Sequence, residues 1–222
     1  METILNEDFA YALSSELVGV LLNKFGAAIS NAEWTSLFAR IVRADRVSLD
    51  YYWSVMVRDE IAWCAKVLNI LHPHNARHVD LIFDDFARED GHTEDPNQLG
   101  EMILGIWNAR ITDVRKKFAT TRTVVLIKGE DLSTVSVFEE EALKYLPEDY
   151  EWEWNQRGNL EGYLKGTDVK KFTWQPHGSQ FTITTKVPDN RLKLRIKRPP
   201  AFSRDEVLTQ LKFDPSWIEI VK

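Results

Sequence analysis

The segment Thr123–Glu141 (TVVLIKGEDLSTVSVFEEE) constrains the fold more than any other part of the chain. Two runs of β-branched and aliphatic residues, Val124–Ile127 and Val135–Phe138, flank Gly129–Asp131, which has the composition of a tight turn. The pattern predicts a β-hairpin whose second strand ends in three consecutive carboxylates. These acids can hold a divalent metal ion or can form the solvated end of a strand, and the sequence leaves both interpretations open.

Residues before this hairpin have mostly helical periodicity. Apolar side chains recur at three- and four-residue steps in three segments, residues 7–25, 32–44 and 98–118. The apolar run Leu49–Leu71, preceded by Ser48 as a cap, and the segment His78–Asp90 are interpreted as further helices. The sequence therefore predicts a helical region over residues 1–118.

Residues after the hairpin alternate with the period of a β-strand. Tyr150–Asn155 alternates aromatic and polar side chains, and further strands are expected over residues 160–164, 170–174 and 180–187. Ser203–Glu206 matches a capping box that starts a short C-terminal helix. We therefore predict an α+β fold, in which the helical layer packs on a mainly antiparallel or mixed C-terminal β-sheet of residues 119–222 to form one compact unit.

A basic strand is predicted near the C-terminus. Aliphatic residues at 192, 194 and 196 alternate with the cations Arg191, Lys193, Arg195 and Lys197. Successive cations on one face of a strand are about 6.6 Å apart, which is close to the phosphate spacing of a nucleic-acid strand. The cations either follow a phosphate backbone or protect an edge strand from aggregation. His177, at the tip of the predicted turn 176–179, is a further candidate contact to a base edge.

Several acids are candidate metal ligands. A nuclease that uses Mg²⁺ needs at least two carboxylates that converge on one or two ions. Asp131 and Glu139 flank the same strand, and seven or eight residues of straight strand span about 25 Å. The site therefore requires a bend at Asp131, or ligands Glu151 and Glu153 from a neighbouring strand. Histidines and aspartates between His72 and His92 form a second cluster, which is interpreted mainly as a helix end and loop.

Residues 131–141 contain an acid, a gap and an apolar strand that ends in acid-x-acid. This arrangement resembles the PD-(D/E)XK nuclease core of restriction endonucleases. Asp131 matches the first acid and Glu139 the second, while Glu141 stands where the family usually has lysine. The proline that usually precedes the first acid is absent. The resemblance implies Mg²⁺-dependent cleavage of DNA, with a role in restriction or defence, in which Asp131 and Glu139 bind the metal and Asp131, Glu139 and Glu141 are catalytic.

Charge and composition limit the partners. The formal net charge is −6, and the acidic excess lies before Arg110, so a polyanion is expected to contact the second half of the chain. Cys64 is the only cysteine, which excludes an intrachain disulfide or a CxxC metal pair. No apolar run approaches the roughly 20 residues of a membrane span, so we expect a cytoplasmic protein without membrane contact.

Two functions follow from these observations. The first is a metal-dependent nuclease that acts on DNA, with Mg²⁺ held by Asp131, Glu139, Glu151 and Glu153. The alternative is a protein without enzymatic activity that serves as an interaction subunit of a larger complex. In that case its helical half or its basic strand binds a protein partner.

Overall fold

The computed structural model describes residues 4–24, 29–49, 53–69, 75–81, 95–129, 134–197, 203–212 and 214–217. The helices are α1 (Glu7–Lys24), α2 (Asn31–Val42), α3 (Pro96–Lys117) and α4 (Arg204–Gln210). The strands are β1 (Asp45–Leu49), β2 (Trp53–Arg58), β3 (Ile61–Asn69), β4 (Asn75–Leu81), β5 (Thr120–Lys128), β6 (Thr134–Glu141), β7 (Tyr150–Trp154), β8 (Leu160–Leu164), β9 (Lys170–Gln175), β10 (Gln180–Lys186) and β11 (Leu192–Arg195). The fold is α+β, as predicted. Across these ranges, each helix is too short or too polar to cross a membrane.

The helices begin at side-chain caps that the sequence encodes. Asn6 accepts a hydrogen bond from the backbone N–H of Phe9 at the start of α1, at 2.9 Å. Ser30 and Glu33 form a reciprocal capping box on α2, and Asp95 caps α3, where Pro96 occupies the first turn. These caps satisfy backbone N–H groups that have no partner inside the helix.

The strands form two sheets. The six-stranded sheet has the order β1-β2-β3-β5-β6-β11, and the five-stranded sheet has the order β4-β10-β9-β8-β7. Strands β3 and β5 are parallel, whereas the other pairs are antiparallel. The predicted hairpin is confirmed: β5 pairs with β6, with Leu126 opposite Val137. Its turn lies outside the described residues.

Two large apolar cores lie on opposite faces of the six-stranded sheet, and a smaller third cluster includes Val125, Phe138 and Val187. The first core joins this sheet to α1 and α2 and contains Trp34, Phe38 and Trp63, all fully buried. The second core joins the other face to α3 and the five-stranded sheet, through residues such as Trp107 and Phe172. The six-stranded sheet is therefore the central layer, which explains why its inner strands are apolar on both faces.

The predicted helix over Leu49–Leu71 is wrong, because this segment forms β2, β3 and the end of β1. Adjacent residues of β2 face different cores, Val55 the second and Met56 the first. A strand that is buried on both faces is apolar throughout and has the composition of a buried helix. The strands turn at Asp59, whose φ of 55° is a left-handed conformation that aspartate tolerates.

The predicted helix over His78–Asp90 is also wrong where the structure describes it. Residues up to Leu81 belong to β4, which pairs with β10 at the edge of the five-stranded sheet. Residues 82–90 lie outside the described ranges. The region 1–118, predicted to be helical, therefore contributes four strands as well as three helices.

The five-stranded sheet docks on α3 through Trp152. The indole lies against the backbone at Gly100, where a Cβ atom would be 2.3 Å from the ring atom Cδ2, and it also contacts Gly162. The ring stacks on Phe172 with a centroid distance of 5.5 Å and an interplanar angle of 10°. The Asn97 side chain accepts a hydrogen bond from the backbone N–H of Trp152 at 3.0 Å. The contact depends on the absence of a side chain at Gly100.

We expect Gly100→Ala to destabilise the protein by about 1 to 3 kcal/mol, because the new methyl group overlaps the indole and forces the helix or β7 to move. Gly105→Ala is the matched control, since it lies in the same helix and a Cβ atom there meets nothing within 4 Å. The control should gain up to about 1 kcal/mol from helix propensity. Urea unfolding measures both changes, and equal stability of the two variants would contradict the proposed contact.

Candidate functional site

A cleft of about 710 Å³ lies at the end of β6 beside the segment that leads into β11. Its wall contains three acids and three cations: Glu139, Glu140, Glu141, Arg122, Arg191 and Lys193. The acids come from one strand, whereas the cations come from β5 and from the β11 segment. The predicted acids of the hairpin and two of the predicted phosphate-binding cations thus line one cleft. In the register of β6 and β11, Lys193 is opposite Ser136, on the sheet face opposite that of Glu139 and Glu141.

Trp63 and Arg122 both donate hydrogen bonds to Glu139. Its Oε1 accepts a hydrogen bond from the Trp63 indole N–H at 2.8 Å, and its Oε2 accepts one from the Arg122 guanidinium at 3.1 Å. The side chains of Glu139 and Arg122 are only 6% and 13% exposed. Glu139 is therefore a buried carboxylate that these contacts fix at the base of the cleft.

Glu141 and Glu140 differ from Glu139 in exposure and direction. Glu141 follows Glu139 on the same face of β6, is 57% exposed, and pairs with Arg115 of α3 at 2.6 Å. Glu140 points to the opposite face, near Tyr145. Burial is the main cause of the raised pKa of Tyr145, and the charge of Glu140 adds to it. Glu139 and Glu141 are therefore the two acids of β6 that can bind one ligand together.

The other predicted metal ligands are not brought to this pair. Asp131 lies outside the described residues. Glu151 and Glu153 are exposed on β7, which pairs with β8 in the five-stranded sheet rather than with β6. Glu151 accepts a hydrogen bond from the Gly166 N–H at 3.3 Å. Over the described ranges, no three side chains of His, Cys, Asp or Glu converge as a metal site would require.

Strand β11 lies at the edge of the six-stranded sheet and pairs with β6. Its alternation is as predicted, because Leu192 and Leu194 pack on the first core while Lys193 and Arg195 are exposed. Lys197, beyond the strand, is exposed as well. Arg191 precedes the strand and donates a hydrogen bond to the carbonyl of Pro188 at 3.1 Å. Arg195 is opposite Thr134, at the other end of β6 from the acids.

The predicted histidine sites are separate from the cleft. His177 is exposed in a single 3-10 turn between β9 and β10 of the five-stranded sheet. His72, His74 and His92 lie outside the described residues, as do Asp84 and Asp85. Of that cluster, Asp80 is described in detail: it is buried and pairs with Lys66 of β3 at 2.6 Å.

The partners of the acids were missed in the sequence. Arg122 precedes an apolar run and Arg115 ends a helix, so both have ordinary local explanations. The available signal was their position relative to the hairpin. In the register of β5 and β6, Arg122 is opposite Glu141 and next to Glu139 in space. A cation at the start of one hairpin strand is expected to meet acids at the end of the other.

No protein-family model, curated protein or solved structure matches this chain.

Proposed function

We propose that this protein is a metal-dependent nuclease that binds the phosphate backbone of DNA in the cleft between β6 and β11. One observation carries the proposal: acids and cations that are about 50 residues apart in the sequence line the same cleft. A phosphodiester substrate requires both, since cations bind the phosphates and carboxylates hold a metal ion.

The cations provide the binding surface. Lys193 is exposed in the cleft wall, and Arg195 and Lys197 continue along the same edge of the sheet. A strand edge with cations at every second position follows the spacing of phosphates along nucleic acid. The role of these residues is to bind and orient the backbone, and base specificity does not follow from such contacts.

Glu139 and Glu141 have the chemistry to bind Mg²⁺, which commonly uses one or two carboxylates together with water and substrate phosphates. Their Cα atoms are two residues apart on one strand, a separation of about 6.7 Å, so both side chains can reach one ion. The bound metal supplies phosphate polarisation and a more acidic water. Arg122 holds Glu139 in a fixed position, and a metal ion bound at Glu141 Oε1 would displace Arg115 from that oxygen.

A cleavage assay tests the proposal. Supercoiled plasmid and single-stranded DNA are incubated with Mg²⁺, Mn²⁺ or EDTA. We expect metal-dependent cleavage that EDTA abolishes and that Glu141→Gln lowers by at least the roughly 10- to 100-fold that altered metal sites typically lose. Because Glu141 is 57% exposed, this substitution should leave the fold intact. Absence of cleavage by the folded protein in every metal would contradict the nuclease.

Binding is measured separately, on the same DNA in EDTA. Lys193→Ala should reduce the slope of log affinity against log salt concentration by about one, as expected for one lost phosphate contact. Arg204→Ala, which removes an exposed cation of α4 outside the cleft, is the control and should leave the slope unchanged. Equal effects of the two substitutions would argue against a specific path for DNA along β11.

A second candidate function has its own support. Glu139 and Glu141 are each paired with an arginine, as expected for structural carboxylates. In that case the protein is a subunit without enzymatic activity whose basic β11 edge binds an acidic protein. This candidate predicts no cleavage, together with a protein complex that Lys193→Ala and Arg195→Ala weaken.

A further inference from the structure

A second pocket, of about 450 Å³, lies on the five-stranded sheet where the turn Asn155–Asn159 meets β4 and β9. The side chains that line it within the described ranges are all polar or charged. They include Arg77, Arg157 and Lys170, against one acid, Glu161. A protein with a formal net charge of −6 thus has a local excess of positive charge at this pocket.

The wall formed by the turn is preorganised. The Asn155 side chain accepts hydrogen bonds from the backbone N–H groups of Arg157 and Asn159, at 2.9 and 3.0 Å. Its amide nitrogen donates to Glu161 at 2.9 Å. Gly158 has a φ of 71°, a left-handed conformation that glycine adopts without strain. The turn therefore presents Arg157 from a fixed backbone.

The negative charge of the acid in the pocket, Glu161, is balanced by a neighbouring lysine. Glu161 is only 12% exposed and accepts hydrogen bonds from Lys170 at 2.8 Å and from the Tyr163 hydroxyl at 2.7 Å. Burial raises the pKa of Glu161, but the bonds from Lys170, Tyr163 and Asn155 outweigh it and lower the pKa overall. Glu161 therefore remains ionised, balances Lys170, and leaves the charges of the two arginines for a ligand.

Arg77 and Arg157 present their guanidinium groups without a hydrogen bond or ion pair to any side chain that the structure describes. Arg77 projects from β4 and Arg157 from the turn, so they approach the pocket from two elements. Gln156 and Gln175 add amide groups, and Thr173 adds a hydroxyl. Guanidinium groups bind phosphate through paired N–H donors, and amides and hydroxyls pair with sugar hydroxyls.

We propose that this pocket binds a sugar phosphate, either as a free phosphorylated sugar or nucleotide or as one unit of a nucleic-acid backbone. The two arginines bind the phosphate, and the glutamines and Thr173 bind the sugar. The described lining has no aromatic or aliphatic side chain on which a base could stack, so the sugar phosphate is the recognised part. The pocket is on the five-stranded sheet, whereas the β6–β11 cleft is on the six-stranded sheet, so the two sites are tested independently.

Isothermal titration calorimetry tests the site with three probes: 2-deoxyribose 5-phosphate, inorganic phosphate, and a single-stranded oligodeoxynucleotide. Each is titrated into the folded protein in EDTA. The test variants are Arg77→Gln and Arg157→Gln, singly and together, and Arg204→Gln in α4 is the matched control. Each charge-assisted contact that is lost should weaken binding of 2-deoxyribose 5-phosphate by about tenfold, and the double variant should lose detectable binding of this probe.

The outcomes separate the sources of the ligand. Binding of 2-deoxyribose 5-phosphate that the double variant loses, and that Lys193→Ala and Arg204→Gln retain, supports a site for a free sugar phosphate. Because the oligonucleotide can also bind the β6–β11 cleft, a backbone contact at this pocket is supported if the Arg77→Gln and Arg157→Gln substitutions further weaken its binding when they are added to Lys193→Ala. Equal affinity for inorganic phosphate and the sugar phosphate overturns the proposed recognition of the sugar. Absence of binding of every probe at millimolar concentration, or binding of 2-deoxyribose 5-phosphate that the double variant retains, overturns the site.

Discussion

Glu139→Ala is expected to lower the free energy of unfolding by about 3 to 5 kcal/mol, the usual cost of removing one partner of a buried ion pair. The substitution leaves the Arg122 guanidinium, which is 13% exposed, without its carboxylate, and it leaves the Trp63 indole N–H without its acceptor. Domains of this kind are stable by about 5 to 15 kcal/mol, so a large fraction of the stability is lost. Urea unfolding measures the change.

This expectation determines how the nuclease should be tested. Loss of cleavage in Glu139→Ala would follow from unfolding as well as from loss of a metal ligand. Glu139→Gln keeps an oxygen acceptor and the side-chain volume, so we expect a smaller loss, of about 1 to 3 kcal/mol. Glu141→Ala removes an exposed ion pair and should change stability by less than about 1 kcal/mol. Equal stability of the Ala variants at positions 139 and 141 would contradict the structural role of Glu139.

Asp80→Ala is expected to have an effect of similar size, about 3 to 5 kcal/mol, at the junction between the two sheets. Asp80 of β4 accepts a hydrogen bond from Lys66 of β3 at 2.6 Å, and the two side chains are 6% and 13% exposed. The charge of Asp80 also acts on Arg110 of α3. Burial lowers the pKa of Arg110, and the negative charge of Asp80 opposes that shift. Without Asp80, two cations remain in a poorly solvated space.

A double substitution separates this electrostatic cost from a loss of packing. Lys66→Met with Asp80→Leu removes both charges and keeps an apolar volume, which in other buried pairs has been neutral or stabilising. We expect the double variant to recover most of the stability that Asp80→Ala loses, with an unchanged dependence of unfolding free energy on urea. If Asp80→Ala alone costs less than about 1 kcal/mol, the inter-sheet ion pair is not a stabilising feature.

The sequence predicted the elements whose two faces differ. Strand β11 alternates cations and aliphatic residues, which is the two-residue periodicity of a strand. Strands β9 and β10 are separated by a turn that contains proline and glycine, as predicted from these residues. The capping box Ser203–Glu206 predicted a helix start in the same way. Prediction failed for β2 and β3, since burial on both faces removes the alternation that identifies a strand.

Part of the candidate site was predictable because its residues form local patterns in the sequence. The acids of β6 and the cations of β11 were visible as local patterns, and the pairing of these strands brings them together. The partners of the acids depend on long-range register: Trp63 is 76 residues from Glu139 in the sequence, and Arg115 is 26 from Glu141. Contacts at such separations leave no periodic signal in a single sequence.

The pairing of strands from the first half of the chain with strands from the second half has a consequence for folding during synthesis. Strands β3 and β4 leave the ribosome before β5 and β10, with which they pair. Until those partners emerge, β3 has an unpaired edge and is apolar on both faces, a state prone to aggregation. The nascent first half therefore depends on prompt completion of the second half, or on a chaperone that covers β3.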